Sequence, residues 1–307
     1  MENKLHISVS PHIHGKRTTT GIMLEVIIAL LPATIAGVVI FGLRSLAVIG
    51  VCVGTAVISE FLFNLITKKE QTIGDLSSIV TGLILALNLP ADMPLWQGVI
   101  GSVFAIVVVK CLFGGIGKNV VNPALTARVF MLVAFSSLAQ PSFPVDATAG
   151  ATPLVSIAEG NVPDLMDLFL GKTGGSIGET CSLALIVGGI YLLIRKIITW
   201  QIPVAFVGTV FVFSLFLNDF NVLTALACIL SGGLLLGAIF MATDYVTSPE
   251  TPWGKIVFGI GAGIITVLIR FWGVYPEGVS FAILLMNILN PYINSLTARK
   301  LFGGEKK

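Results

Sequence analysis

The sequence predicts an all-α polytopic membrane protein with about ten transmembrane helices, arranged as two inverted five-helix repeats with short broken helices at the centre. Three observations lead there. Hydrophobic residues make up 55% of the 307 and charged residues only 11%, against about 25% charged in an ordinary soluble domain. Mean hydropathy is +0.96. The apolar residues fall in runs long enough to cross or enter a hydrocarbon core. A soluble core this apolar would leave a large greasy surface, so lipid is the fitting solvent.

The elements follow in order. Residues 1–20 are polar, carry no apolar run with a cleavage site and are not a signal peptide. They form a cytoplasmic N-terminal segment. The first two apolar runs cover 21–43 and 46–66. The third, 77–89, is short: Ile79 to Leu89 would rise only about 16 Å as a helix and stops at Asn88-Leu89-Pro90. The fourth covers 96–113. The fifth, 123–138, opens at Asn122-Pro123 and holds Arg128. These five make a first membrane repeat, 21–138. A polar loop, 139–180, separates it from a second repeat, 181–295. That repeat contains runs at 181–195, 202–217, 221–242, 256–272 and 279–293, the last broken by Asn287, Asn290 and Pro291. Residues 296–307 form a cytoplasmic tail.

Charge placement orients the chain. With the N-terminus inside and ten crossings, the outside loops hold only Arg44, Lys172 and Arg270. The inside loops collect the other cations, among them Lys16, Arg17, Lys68, Lys69, Lys110, Arg195 and Lys196, while Arg128 sits within a span. Positive residues gather on the cytoplasmic side, so both termini are expected in the cytoplasm and 139–180 outside.

The halves also share landmarks. Gly21 and Glu25 answer to Gly175 and Glu179, and Gly82-Leu83-Ile84-Leu85 to Gly233-Leu234-Leu235-Leu236. The fourth run ends Val109-Lys110-Cys111 and the ninth Ile269-Arg270-Phe271. Five spans per half would make the repeats inverted, which places a site near the midplane between short helices. Chance likeness among apolar helices is the alternative.

Some chemistry is excluded. A net charge of +2 without a basic run does not suit nucleic acid. Cys52, Cys111, Cys181 and Cys228 form no C-x-x-C. They read as small buried side chains, with a metal shared with another subunit as the alternative for Cys111. No metal site and no stand-alone catalytic site is expected. His12 and His14 read as polar residues at the membrane surface. Glu25 and Glu60 lie in or near spans; helix-end placement is the simpler account, and service to ions is the alternative. Asp244 and Glu250 fall in a solvated loop. Arg128 inside a span needs a cavity, a partner or an anion; a structural ion pair and a ligand contact are both open.

Two stretches carry more. One is Asp146-Ala147-Thr148-Ala149-Gly150-Ala151-Thr152-Pro153, where small residues leave a threonine hydroxyl accessible. The other is Gly114-Gly115-Ile116-Gly117-Lys118-Asn119, followed by Asn122-Pro123-Ala124. It lacks G-x-x-x-x-G-K-[ST] and is no P-loop. It reads as a glycine turn feeding a half-helix that faces a cavity. Ser10-Pro11-His12, Thr18-Thr19-Thr20, the run Ala242 to Pro249, and Tyr275-Pro276-Glu277-Gly278 with Asn290-Pro291 complete the set.

In order and spacing these motifs resemble the D-type membrane component of the Rnf ion-translocating oxidoreductase and, next to it, the B-type membrane component of the sodium-pumping NADH:quinone reductase. The likeness runs from Ser10 to Pro291. The short N-terminal extension favours the Rnf component. The resemblance implies a membrane electron carrier in a complex that moves electrons between ferredoxin and NAD and drives Na+ or H+ across the membrane. It implies FMN joined through its phosphate to Thr152, within a motif whose Asp146, Gly150 and Ala151 also match. Ala149 departs from it, where the family has Ser or Thr. Asn119, Asn122 and Arg128 are candidate further cofactor contacts, and a second, non-covalent flavin is a further expectation. The implied partners are the other membrane and peripheral subunits, including a second flavin-bearing one, together with a flavin transferase and membrane lipid. The implied location is a prokaryotic cell (inner) membrane. The quinone-reductase component and a small-solute transporter or channel of similar architecture are the rival functions.

Overall fold

A computed structural model describes residues 18–135, 138, 142–144, 152–273 and 277–298. The described residues are helical, with no strand beyond the single bridge of Ser142 to Gly175. The first half holds α1 (Thr19–Phe41), α2 (Leu43–Ile66), α3 (Ser77–Leu87), α4 (Leu95–Val103, continued as a π-helix Phe104–Cys111) and α5 (Pro123–Ala134). Two short helices, α6 (Pro153–Ala158) and α7 (Leu165–Leu170), lie in the connection between halves. The second half holds α8 (Ser182–Ile194), α9 (Gln201–Leu217), α10 (Val222–Leu230), α11 (Leu234–Leu236, continued as a π-helix Gly237–Met241), α12 (Pro252–Trp272) and α13 (Val279–Thr297).

α1, α2, α12 and α13 are long and apolar enough to cross a membrane singly. α10 and α11 together make a fifth such unit, bent by 62° at their break. The long helices turn apolar side chains outward. On α1, Leu24, Ile28, Leu31, Ile35 and Val39 are exposed at helical spacing, a stripe that suits lipid.

α3 and the unit Leu234–Met241 occupy the interior. Nine residues of α3, Ser77 among them, are buried, and all of Leu234–Met241 is buried. A helix that ends inside an apolar bundle leaves carbonyls that need donors. For α3 they come from the strap before α8: Gly178 N donates to Leu87 O (2.7 Å) and Ile177 N to Leu89 O (3.1 Å). The approach is close enough that a Cβ on Gly178 would lie 2.5 Å from Leu87 Cβ. Small residues likewise seat the long helices, since Gly259 and Gly263 of α12 face the backbone of Ile202 and Phe206 on α9.

The two halves share a feature at the start of a central helix. α3 starts from a left-handed N-cap at Leu76 (φ 62°), and α11 from a left-handed N-cap at Gly233 (φ 66°). A cation reaches each start. Lys110 Nζ lies 2.6 Å from Ser77 Oγ; Arg270 donates to the carbonyls of Cys228, Ser231 and Gly232. Both cations lie on helices, not in the loops where charge counting puts them. Lys110 is buried by its ion pair with Glu60 (2.9 Å), and Arg270 is held by the carbonyls it meets.

Two further expectations are corrected. The tenth run is not broken: α13 continues through Asn287, Asn290 and Pro291 to Thr297. Asn287 and Asn290 are buried and face neighbouring elements. Asn287 meets Asn122 N and Thr247 O through its side-chain amide. A proline costs one backbone bond there without ending the helix, as membrane helices tolerate. Asp244 is half-buried rather than solvated, and Thr247 Oγ1 donates to its Oδ2 (3.1 Å).

Candidate functional site

Two cavities lie at opposite ends of the same central helices. Thr152 lines the first, an open cavity of about 750 Å³. Thr152 is the N-cap of α6, has extended backbone and accepts from Val155 N through Oγ1 (3.3 Å). Proline at the first helical position presets the turn that follows. The hydroxyl therefore stands at the end of a short helix rather than in an open loop. Asp146, Gly150 and Ala151 lie outside the described residues, as do His12 and His14.

Arg128 reaches the same cavity from α5. It is 2% exposed. Nη2 pairs with Glu277 Oε2 at 3.0 Å, with Glu277 in the segment preceding α13. Arg128 Nε and Nη1 are buried and have no hydrogen-bond partner among the described residues. A guanidinium carries five donors in a fixed fork, and leaving two unmet in an apolar site is costly. The cavity therefore holds an acceptor-seeking cation and a hydroxyl in its lining. One edge of Arg128 makes the ion pair, and Nε and Nη1 on the other edge meet no partner among the described residues.

The remaining wall comes from three places. Ser176, Glu179 and Thr180 belong to the strap before α8; Leu230, Ser231 and Gly232 form the α10–α11 break; Leu132, Leu138 and Leu168 supply apolar surface. Burial, and next the nearby Glu277 charge, push the Glu179 carboxyl up to about 7. In the sequence, Glu179 and Glu277 stand out only as landmarks. The likeness of Gly175–Glu179 to Gly21–Glu25 is the one signal that points to Glu179.

Asn119 and Asn122 are elsewhere. They line a second cavity of about 850 Å³ with the first turn of α1, the start of α3, the end of α8 and the segment after α11. Asn122 caps α5, accepting from Ala124 N (3.1 Å) and Leu125 N (3.3 Å), and donates to Met241 O (3.4 Å). Asn119 donates to Val121 O. The glycine turn before them adopts left-handed backbone at Gly114, Gly115 and Gly117. Asp244 is in this cavity, and burial pushes its carboxyl up. The structure thus divides the candidate residues between two places, with α5 joining them. The N-terminus of α5 meets the second cavity, and Arg128 and Leu132 meet the first. α1 starts at the second cavity and α8 at the first, so the halves run in opposite senses.

The chain's likeness to known proteins covers nearly all of it. Residues 6–303 match the model of the NQR2, RnfD, RnfE family. The chain is 44% identical to the D-type component of the Na(+)-translocating ferredoxin:NAD(+) oxidoreductase complex of Acetobacterium woodii, over 99% of this chain and 97% of that one. It is 39% identical to the D-type component of the proton-translocating ferredoxin:NAD(+) oxidoreductase complex of Clostridium ljungdahlii, over 98% and 97%. It is 36% identical to the D-type component of the ion-translocating oxidoreductase complex of Stutzerimonas stutzeri, over 92% and 91%. With apolar central helices, two end cavities and similarity along its whole length, the chain belongs to the NQR2, RnfD, RnfE family.

Proposed function

We propose that the chain is the membrane electron-carrier subunit of an Rnf-type complex and bears FMN on Thr152. The observation that carries this is the shared cavity of Thr152 and Arg128, in which two guanidinium nitrogens lack partners among the described residues. Relatives named as components of ferredoxin:NAD(+) oxidoreductase complexes support the redox setting.

When bound, the flavin supplies the redox chemistry, and the protein supplies position and electrostatics. Thr152 Oγ1 provides the ester oxygen to the phosphate. Arg128 offers Nε and Nη1 to the anionic group, and Glu277 holds the guanidinium in place. Leu132, Leu168 and Leu230 exclude water from the apolar part of the ligand. The second cavity, with Asn119 and Asn122, is the place for a further, non-covalent flavin. α5 has 12 residues, about 18 Å of helix, and connects the two.

The Thr152 end faces outward and both termini face the cytoplasm of a prokaryotic cell (inner) membrane. A flavin transferase forms the bond. Other membrane and peripheral subunits, including a second flavin-bearing one, exchange electrons with this subunit, and the complex moves Na+ or H+. Lipid covers the exposed stripes of the long helices.

Thr152→Ala tests this. In-gel flavin fluorescence and intact-mass measurement should show a covalent flavin in the wild type and none in the variant. The lost cap costs about 1 kcal/mol, so the subunit should still fold and insert. A covalent flavin retained by Thr152→Ala would place the attachment elsewhere. A wild type without one, in cells holding the transferase, would favour the transporter reading.

A further inference from the structure

Among the described residues, Arg128, Glu179 and Glu277 line the Thr152 cavity, and Arg270 stands close behind it. Arg128 and Glu277 form an ion pair. Arg270, behind the wall at the α10–α11 break, is engaged by three carbonyls. Glu179 has no ion-pair partner among the described residues. Its Oε1 accepts from Ser176 N at 2.9 Å. Its Oε2 faces the left-handed Gly233 at the break, where a Cβ would stand 3.0 Å away. The strap that carries it is fixed at both ends, because Gly175 N donates to Ser142 O, and Ile177 and Gly178 cap α3. Glu179 is thus held in the wall of the cavity that Arg128 and Glu277 also line.

We infer that Glu179 is the proton-exchanging group of this cavity, taking up a proton when negative charge enters and releasing it when that charge leaves. This rests on the proposed flavin at Thr152. The balance is simple. An electron delivered to the cavity's cofactor by the preceding carrier of the complex adds one negative charge. One proton from water then joins the Glu179 carboxylate and makes the neutral acid. On reoxidation the electron passes to the next carrier and the proton returns to water. The other charges are not free to respond in this way. Arg128 and Glu277 engage each other, and Arg270 is engaged by three carbonyls. Among the described residues, the charged groups that face Glu179 are Arg128 from α5, Arg270 from α12 and Glu277 from the segment before α13. Burial and the Glu277 charge place its titration at about 7, where a small change in local charge shifts its protonation.

The test is a redox titration of the covalent flavin in the purified complex, repeated from about pH 5.5 to about pH 8.5, a range that brackets a carboxyl raised well above its usual value. In the wild type the plot of midpoint potential against pH should change slope near pH 7. Glu179→Gln should keep the covalent flavin and lose that change of slope, and Glu179→Asp should keep it at a displaced pH. The same slope change in Glu179→Gln would overturn the inference. Redox-difference infrared spectra of the wild type give a second reading that needs no variant: a protonated-carboxyl band should appear on reduction, and its absence also overturns the inference. A wild type with no covalent flavin would sink the proposed function as well, so the two failures are distinguishable.

Discussion

Arg128 Nη2 lies 3.0 Å from Glu277 Oε2, joining α5 of the first half to the segment before α13 in the second. The pair is unequal in exposure: the arginine side chain is 3% accessible and the glutamate 28%. The arginine therefore sits in the drier place, and its charge acts on the cavity with less screening. A positive charge beside a redox cofactor favours its reduced form, and a negative charge does the opposite. Arg128→Gln should lower the midpoint potential of the Thr152 flavin and Glu277→Gln should raise it. A unit charge about 8 Å away at an effective dielectric of about 20 is worth roughly 2 kcal/mol. Redox titration of the two purified variants measures it. Shifts of the same sign in both variants would mean that the flavin does not lie beside this pair.

Most of the fold is legible in the apolar runs, because whatever crosses or enters lipid must be apolar along its length. All ten predicted runs correspond to helices, and the short third run is the buried α3. The expected break at Pro291 fails because the sequence shows the lost backbone donor but not the neighbours that receive Asn287. The candidate site is only partly legible. Thr152 and Arg128 line one cavity although 24 positions separate them, because α5 runs toward the place where α6 begins. Asn119 and Asn122 stand closer to Arg128 in sequence, yet belong to the other cavity. A helix carries its two ends apart, and no motif spacing says which end a loop returns to. Glu179 is inconspicuous because a lone acid next to a span resembles an ordinary helix-end residue until the surrounding elements are in place.

The arrangement of cavities makes a prediction about sides. Asn161 lies in the connection that includes α6 and α7, near the Thr152 end; Lys118 lies in the glycine turn that precedes Asn119 and the second cavity. Both are exposed. Single cysteines placed at these positions should react with a membrane-impermeant thiol reagent from opposite faces. Asn161→Cys should label in intact cells, and Lys118→Cys only after the membrane is opened. Three of the four native cysteines are buried, so background labelling should be low. Labelling of both positions from one face would overturn the odd number of crossings between them.

The Lys110–Glu60 pair should behave as a single unit within the bundle. Lys110 Nζ lies 3.0 and 2.9 Å from the two Glu60 oxygens, and Glu60 Oε1 also accepts from Thr72 Oγ1 at 2.6 Å. The side chains are 4% and 2% accessible. Removing one member strands the other charge in an apolar interior, which typically costs about 3–5 kcal/mol. Replacing both removes the desolvation cost along with the attraction, so the net loss is far smaller. Lys110→Met alone should therefore lower the melting temperature of the detergent-purified protein sharply, and Glu60→Gln alone should leave an unpaired lysine with a similar effect. The double variant should recover most of the loss. Lys110 also reaches Ser77 at the start of α3, so recovery should fall short of the wild type by about one lost hydrogen bond, roughly 1 kcal/mol. If the double variant loses the sum of the two single losses, the charges are not coupled, and the start of α3 is held by something other than this pair.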